Sequence, residues 1–207
     1  MVLERLQSVA NKARSPLTPP RTSAIVHQVF QVPEHGTAAM TRPLDVFLLL
    51  TMRLLERRGD PLTVRAVAAA CQLPLAEVHR GRKRAEAAGL WRPEHGVATS
   101  RLLEFCIHGV PYAYPAALGA PTRGLATAAA AFADVFGQAQ TTLVWPDEGA
   151  DAMGTSLQPL HPRVVVAARA DAEIYRALAA LDCIRTGRAR ERGFGAEELR
   201  GLLGAGS

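Results

Sequence analysis

The segment from Thr41 to Arg58, TRPLDVFLLLTMRLLERR, constrains the fold most tightly. Leu44, Phe47, Leu48, Thr51, Leu54 and Leu55 recur at helical spacing and form an apolar stripe too broad to leave in water. Thr41 is a capping type, Pro43 suits a first helical turn, and Gly59-Asp60-Pro61 stops the helix. The run is too short, and too charged at its end, to span a bilayer, so other parts of the chain must cover it. In a chain of 207 residues with 48% hydrophobic and only 5% aromatic content, that cover must come mainly from Ala, Leu and Val. Alanine-rich segments with few β-branched runs favour helix, so the chain is expected to be mainly α with a few short strands.

The next stretch, Leu62 to Leu90, reads as helix, tight turn and second helix. Thr63 can cap the first helix, and Val64, Val67, Ala68 and Cys71 give it one apolar face. Leu73-Pro74 breaks it, because proline disfavours helical geometry in the residue before it. The second helix opens at Pro74 or Leu75, and its Val78 is spaced to pack back on Ala68. It gathers His79, Arg80, Arg82, Lys83 and Arg84, and Gly89 is a helix-terminating residue. In LWRPEHGVATS, Leu90 to Arg92 and Val97 to Thr99 are expected to pair as a small hairpin across a PEHG turn. The same tetrapeptide occurs at Pro33 to Gly36, too short a repeat to imply duplication.

From Pro43 to Ile107 this pattern resembles the winged helix-turn-helix of bacterial-type transcription regulators, in which a small residue of the first helix faces a β-branched residue of the second. The resemblance implies a DNA-binding domain over residues 41–110, a homodimer, and a second helix, 75–88, that enters the major groove. Carried onto this sequence, it makes Glu77, His79, Arg80, Lys83 and Arg84 the exposed candidates for base and phosphate contacts. Arg80 and Arg84 can each form the paired hydrogen bonds that read guanine. Thr63, Arg82, Arg92 and His95 complete the expected DNA-binding set. The implied function is a sequence-specific regulator of transcription, a repressor by expectation. Three positions depart from the pattern: Gln72 stands where the family has a turn glycine, and Gly81 and Arg82 stand on the inner face. They keep open an alternative, an antitoxin-like or adaptor protein whose winged helix and C-terminal half bind a companion protein.

Charge agrees with a polyanionic partner: the net charge is +5 and the pI near 9.6. Arginine dominates, Lys12 and Lys83 being the only lysines. Cys71, Cys106 and Cys183 are odd in number, widely spaced and set in apolar contexts, which suits buried thiols better than disulfides and points to the cytoplasm. There is no apolar run long enough for a membrane span and no signal-peptide core at the N-terminus. The sequence also holds no phosphate-cradling glycine loop, GxSxG, HExxH or CxxC, and no cofactor, metal or catalytic set is expected.

Outside this core, residues 1–40 read as an arm, with an apolar helical pattern in Val2 to Lys12, a proline-rich break, and a strand candidate at Ala24 to Val32 that can pair two chains. After the helix RLLEFCIHGV, the stretch VPYAYPAALGAPTRG is expected to be irregular, and a small-ligand pocket beside Tyr112 and Tyr114 is one reading of it. Residues 111–207 form an extension expected to be mostly helical: an alanine helix from Leu125 to Phe136, a hairpin of Thr141 to Trp145 and Ala152 to Leu157 around the acidic turn of Asp147, Glu148 and Asp151, then helices over Pro162 to Ala168, Asp171 to Arg185 and Ala196 to Leu203. Arg185, Arg188, Arg190 and Arg192 make a second basic cluster, suited to phosphates or to an acidic partner surface.

Overall fold

Helix α1, Pro43–Arg58, is the axis of the fold in the computed structural model, which describes residues 41–137 and 141–204. Its start is capped from inside: Asp45 accepts the Arg42 backbone N–H at 2.8 Å, so Arg42 and not Thr41 is the cap residue. Gly59 ends it with φ 76°, a left-handed turn that glycine adopts without steric cost. Phe47, Leu48, Leu49, Leu50, Met52 and Leu54 are all at most 1% exposed, so the helix is covered nearly all round. Burial of each such side chain is worth about 1.5–3 kcal/mol.

Two helices cross α1. In α2, Val64–Cys71, Thr63 accepts the Ala66 N–H at 3.1 Å as an N-cap, and Val67, Ala68 and Cys71 are buried. The turn that follows is left-handed at Gln72, φ 54° and ψ 39°. Gln72 holds this geometry with its own amide, which donates to the Ala69 carbonyl at 2.8 Å, while buried Leu73 anchors the turn to the core. Helix α3, Leu75–Ala87, then packs Val78, Gly81 and Ala85 inward. At Gly81 a Cβ would lie 2.5 Å from Leu48 Cδ2, so glycine is what lets α3 approach α1 this closely. Strands β1, Trp91–Arg92, and β2, Gly96–Val97, pair antiparallel as a two-stranded hairpin. Glu56 of α1 accepts the Val97 N–H at 2.9 Å, and a Cβ on Gly96 would fall 2.3 Å from the same carboxylate.

The helix expected from Arg101 to Val110 runs longer and is interrupted. It comprises α4, Thr99–Glu104, a π-helical turn, Phe105–Gly109, and α5, Val110–Ala113.

Beyond it the structure departs from expectation. Part of the proline-rich stretch forms β3, Leu118–Thr127, with a register irregularity between Leu118 and Pro121. The alanine run is not one helix: Ala128, at φ 51°, starts a 3-10 turn, Ala128–Phe132, followed by the single turn α6, Ala133–Phe136. Strands β4, Leu143–Pro146, and β5, Ala152–Leu157, exist as expected but are not a hairpin. Both pair antiparallel with β3, and with each other they pair in parallel. The three strands close on themselves, and glycine permits the closure: a Cβ at Gly124 or Gly154 would stand 2.2 or 2.3 Å from the backbone oxygen of Trp145 or Thr142.

Helices α7, Val164–Ala170, α8, Ala172–Thr186, and α9, Ala189–Leu203, complete the described chain. Asp171 caps α8 by accepting the Glu173 and Ile174 N–H groups at 2.9 and 3.1 Å. The last helix starts at Ala189, seven residues before the expected Ala196, because Glu191 accepts the Arg188 N–H at 2.7 Å and fixes its first turn. Helix α8 packs on α9, α7, the 3-10 turn and α1, so one apolar cluster runs from Leu44 to Leu203 and no break in packing separates residues 41–110 from the rest. The described chain is mainly helical with small sheets. No described helix is long and apolar enough to cross a membrane. The arm and strand expected within residues 1–40 lie outside the described residues.

Candidate nucleic-acid interface

The exposed face of α3 carries the charges. His79, Arg80 and Lys83 are exposed, and Glu77 is half-buried in the first turn. Arg80 donates to the Glu77 carboxylate one turn away, and this bond holds Glu77 below the usual carboxylate range. Arg92 and His95 are exposed on the hairpin that follows α3. Thr63 lies at the exposed start of α2 with its oxygen engaged by the cap.

Two arginines of the expected set do other work. Arg84 is 7% exposed, and its guanidinium makes a two-point ion pair with Asp45, Nε to Oδ2 at 2.8 Å and Nη2 to Oδ1 at 2.6 Å. It is therefore not a base-reading residue in this arrangement; it fastens α3 to α1. The carboxylate holds the guanidinium above its ordinary value, and the third bond to Asp45, from Arg42 N–H, completes the acceptor's surroundings. Arg82 is half-buried: it donates to the Leu62 carbonyl, and its guanidinium carbon stands 5.2 Å from the centre of the Trp91 ring. Burial depresses its pKa. It links the start of α2 to the hairpin, which accounts for a charged residue on the inner side of the helix.

One neighbour was not legible in the sequence. Helix α7 packs on α2, and His161, at the foot of α7, lies within electrostatic reach of Glu77. Burial lowers the His161 pKa, and Glu77 works against that shift. Arg163 beside it is exposed, as is Arg65 on α2.

The second basic cluster divides in the same way. Arg188, Arg190 and Arg192 are exposed around the first turns of α9, with Arg190 lying 5.5 Å from the Phe136 ring centre. Arg185 is not part of that surface: its side chain is 4% exposed, pairs with Asp182 at 2.6 Å and donates to the Tyr114 carbonyl at 3.1 Å. Asp182 also accepts from Trp145 Nε1 at 2.7 Å and Thr127 Oγ1 at 2.9 Å. Burial pushes its carboxyl up, against the pull of Arg185 and these hydrogen bonds.

The remaining candidates resolve into structural roles. Tyr112, 84% exposed, stands at the rim of a cavity of about 460 Å³ with His108 and Arg192, whereas Tyr114 is turned away, its hydroxyl on Thr41. Asp147 pairs with Arg169 at 2.6 Å. Cys71, Cys106 and Cys183 are free and buried, and burial pushes each thiol up to about 12, as befits small hydrophobes. Among the described residues no cluster of His, Cys, Asp or Glu has metal-site geometry. Compared with known families, curated proteins and solved structures, the chain gives no match.

Proposed function

We propose that residues 41–110 are a winged helix-turn-helix domain and that the protein is a sequence-specific, double-stranded DNA-binding regulator, with repression as its expected output. The observation that carries this reading is the division of α3 into two faces. Val78, Gly81, Arg84 and Ala85 are fixed against the core, while His79, Arg80 and Lys83 project outward beside Arg92 and His95 of the hairpin. A rigid helix offering cations on one side fits the major groove, with the flanking hairpin placed to meet the phosphate backbone. Arg80 is the candidate for guanine, and the others suit phosphates. The two inner-face departures, Gly81 and Arg82, have packing roles, which lessens the weight they lend to a protein-binding module. That second reading retains one support, the exposed Tyr112 and Leu75. A homodimer is part of the proposal and is checked by the mass in light scattering.

The test is titration of the purified protein against genomic fragments, including the DNA upstream of its own gene, at low and physiological salt. Tight binding to one fragment that survives physiological salt is the expected result, with Arg80→Ala weakening it by about 1–3 kcal/mol. Binding that is indifferent to fragment and vanishes with salt would leave only a basic surface. A salt-insensitive complex with another protein would favour the companion-protein reading.

A further inference from the structure

Glu77 is the acidic residue of the first turn of α3, the end of such a helix that meets base edges. Its carboxylate holds the Nη2 of Arg80, whose side chain is 56% exposed against 31% for Glu77. The other charges that face it are Arg42, Arg84 and His161, and of these Arg84 is already committed to Asp45. A guanidinium has five N–H donors in a planar fork, so an arginine held at one nitrogen keeps the rest for a second partner. The bond to Glu77 also restricts the Arg80 rotamers and sets a negative charge next to the cation. Both effects bear on discrimination, because a free, flexible arginine takes any phosphate within reach, whereas a guanine edge needs a fixed, two-point approach.

Resting on the DNA-binding reading above, we propose that Glu77 is a positioning residue for sequence discrimination. It holds Arg80 ready for a base edge and keeps it from the phosphates, so it disfavours unrelated duplex more than the cognate site. In the cognate complex Arg80 keeps its bond to Glu77 while its remaining donors face guanine. On unrelated DNA the same bond denies the protein one backbone contact.

The experiment compares affinities for the fragment selected by the wild-type protein and for a scrambled duplex of equal length, at one fixed salt concentration. The proteins are wild type, Glu77→Gln, Arg80→Ala, the double variant, and Glu197→Gln as a charge-matched control on α9. The ratio of the two affinities is expected to fall about fivefold in Glu77→Gln, near the upper end of what one exposed ion pair is worth. Most of that fall should come from tighter binding to the scrambled duplex. The control should keep the wild-type ratio, and in the Arg80→Ala background the Glu77→Gln change should leave the ratio unaltered, since Glu77 acts through Arg80. An unchanged ratio in Glu77→Gln, or an equal fall with Arg80 already removed, would overturn the inference while leaving the DNA-binding reading in place. A wild-type protein with no preference between the duplexes removes that reading, and this inference with it.

Discussion

Asp45 and Asp182 are both buried and both meet an arginine, yet they hold their parts of the molecule in different ways. Asp45 lies in an all-helical region and receives three hydrogen bonds, two from Arg84 and one from the cap of its own helix. Its task is to clamp α3 on α1 at the point where Gly81 removes the side chain between them. Asp182 lies on α8 and gathers donors from separate pieces of chain: Thr127 at the end of β3, Trp145 on β4, and Arg185 one turn on, which in turn binds the Tyr114 carbonyl. The first is a clamp between two regular elements that would be helical without it. The second is a hub that fixes where short, irregular strands end. A small strand cluster has little regular structure to orient it, so a buried polar centre supplies the orientation, provided every partner is satisfied.

That contrast predicts an order of effects. Asp182→Ala should be the most damaging substitution, because it leaves the Trp145 and Thr127 donors unmet and Arg185 buried without its counter-charge. A loss of about 4–5 kcal/mol is expected in chemical denaturation, at the upper end for breaking a buried pair. The near-ultraviolet signal of Trp145 should change with it. A loss below about 1 kcal/mol would show that the hub is dispensable. Arg84→Met should cost about 3 kcal/mol, since Asp45 is left buried while its cap bond to Arg42 survives. Here the contrast sharpens: Asp45→Leu combined with Arg84→Met should recover most of that loss, because two helices can be re-packed with apolar side chains. No such pair is expected to rescue Asp182, whose partners come from three elements. If the Asp45 and Arg84 losses simply add, the clamp picture is wrong.

The same distinction decides how much could be foreseen. Helices α1, α2, α3 and α8 were legible because their apolar residues recur at helical spacing, and α3 stops at Ala87 with Gly89 just beyond it at φ 68°, the left-handed turn its residue type suggests. The left-handed turn was legible too, although Gln72 fills it, with a side-chain bond to Ala69 in place of glycine's freedom. Strand β3 was not, because its stretch contains Pro121 and two glycines, and its partners β4 and β5 lie far along the chain. The alanine run failed for a related reason: alanine permits helix, but Thr127 bonded to Asp182 and Ala128 in a left-handed conformation set another path. At the candidate site, charge type was visible and charge direction was not. Arg80 and Arg84 look equivalent in the sequence, four residues apart, yet one faces solvent and the other Asp45. The acceptor that separates them lies 39 residues away, and nothing in the sequence around it points to Arg84.

An exposed pair extends the comparison to its weak end. Arg58 of α1 reaches Asp171, the cap of α8, through Nη1 at 2.6 Å and Nη2 at 2.9 Å, with both side chains partly open to water. The hydrogen bond from Arg58 holds the Asp171 carboxyl below its ordinary value of 3.8. A carboxyl whose pKa is depressed by folding contributes stability above its unfolded value and loses it as pH falls through the folded one. Asp171→Asn keeps a residue able to cap α8 and removes only the charge. Wild type should therefore exceed this variant by a small margin at pH 7, about 0.2–1 kcal/mol for a partly exposed pair, and the two should converge as pH drops below 3.8. The margin should shrink also in molar salt, where the screening length falls to about 3 Å, while the deficits of Asp182→Ala and Arg84→Met persist because their pairs are out of reach of ions. A salt-resistant margin at Asp171 would mean that α1 and α8 are joined there as firmly as α1 and α3 are by Asp45, and the ranking of the three carboxylates would have to be redrawn.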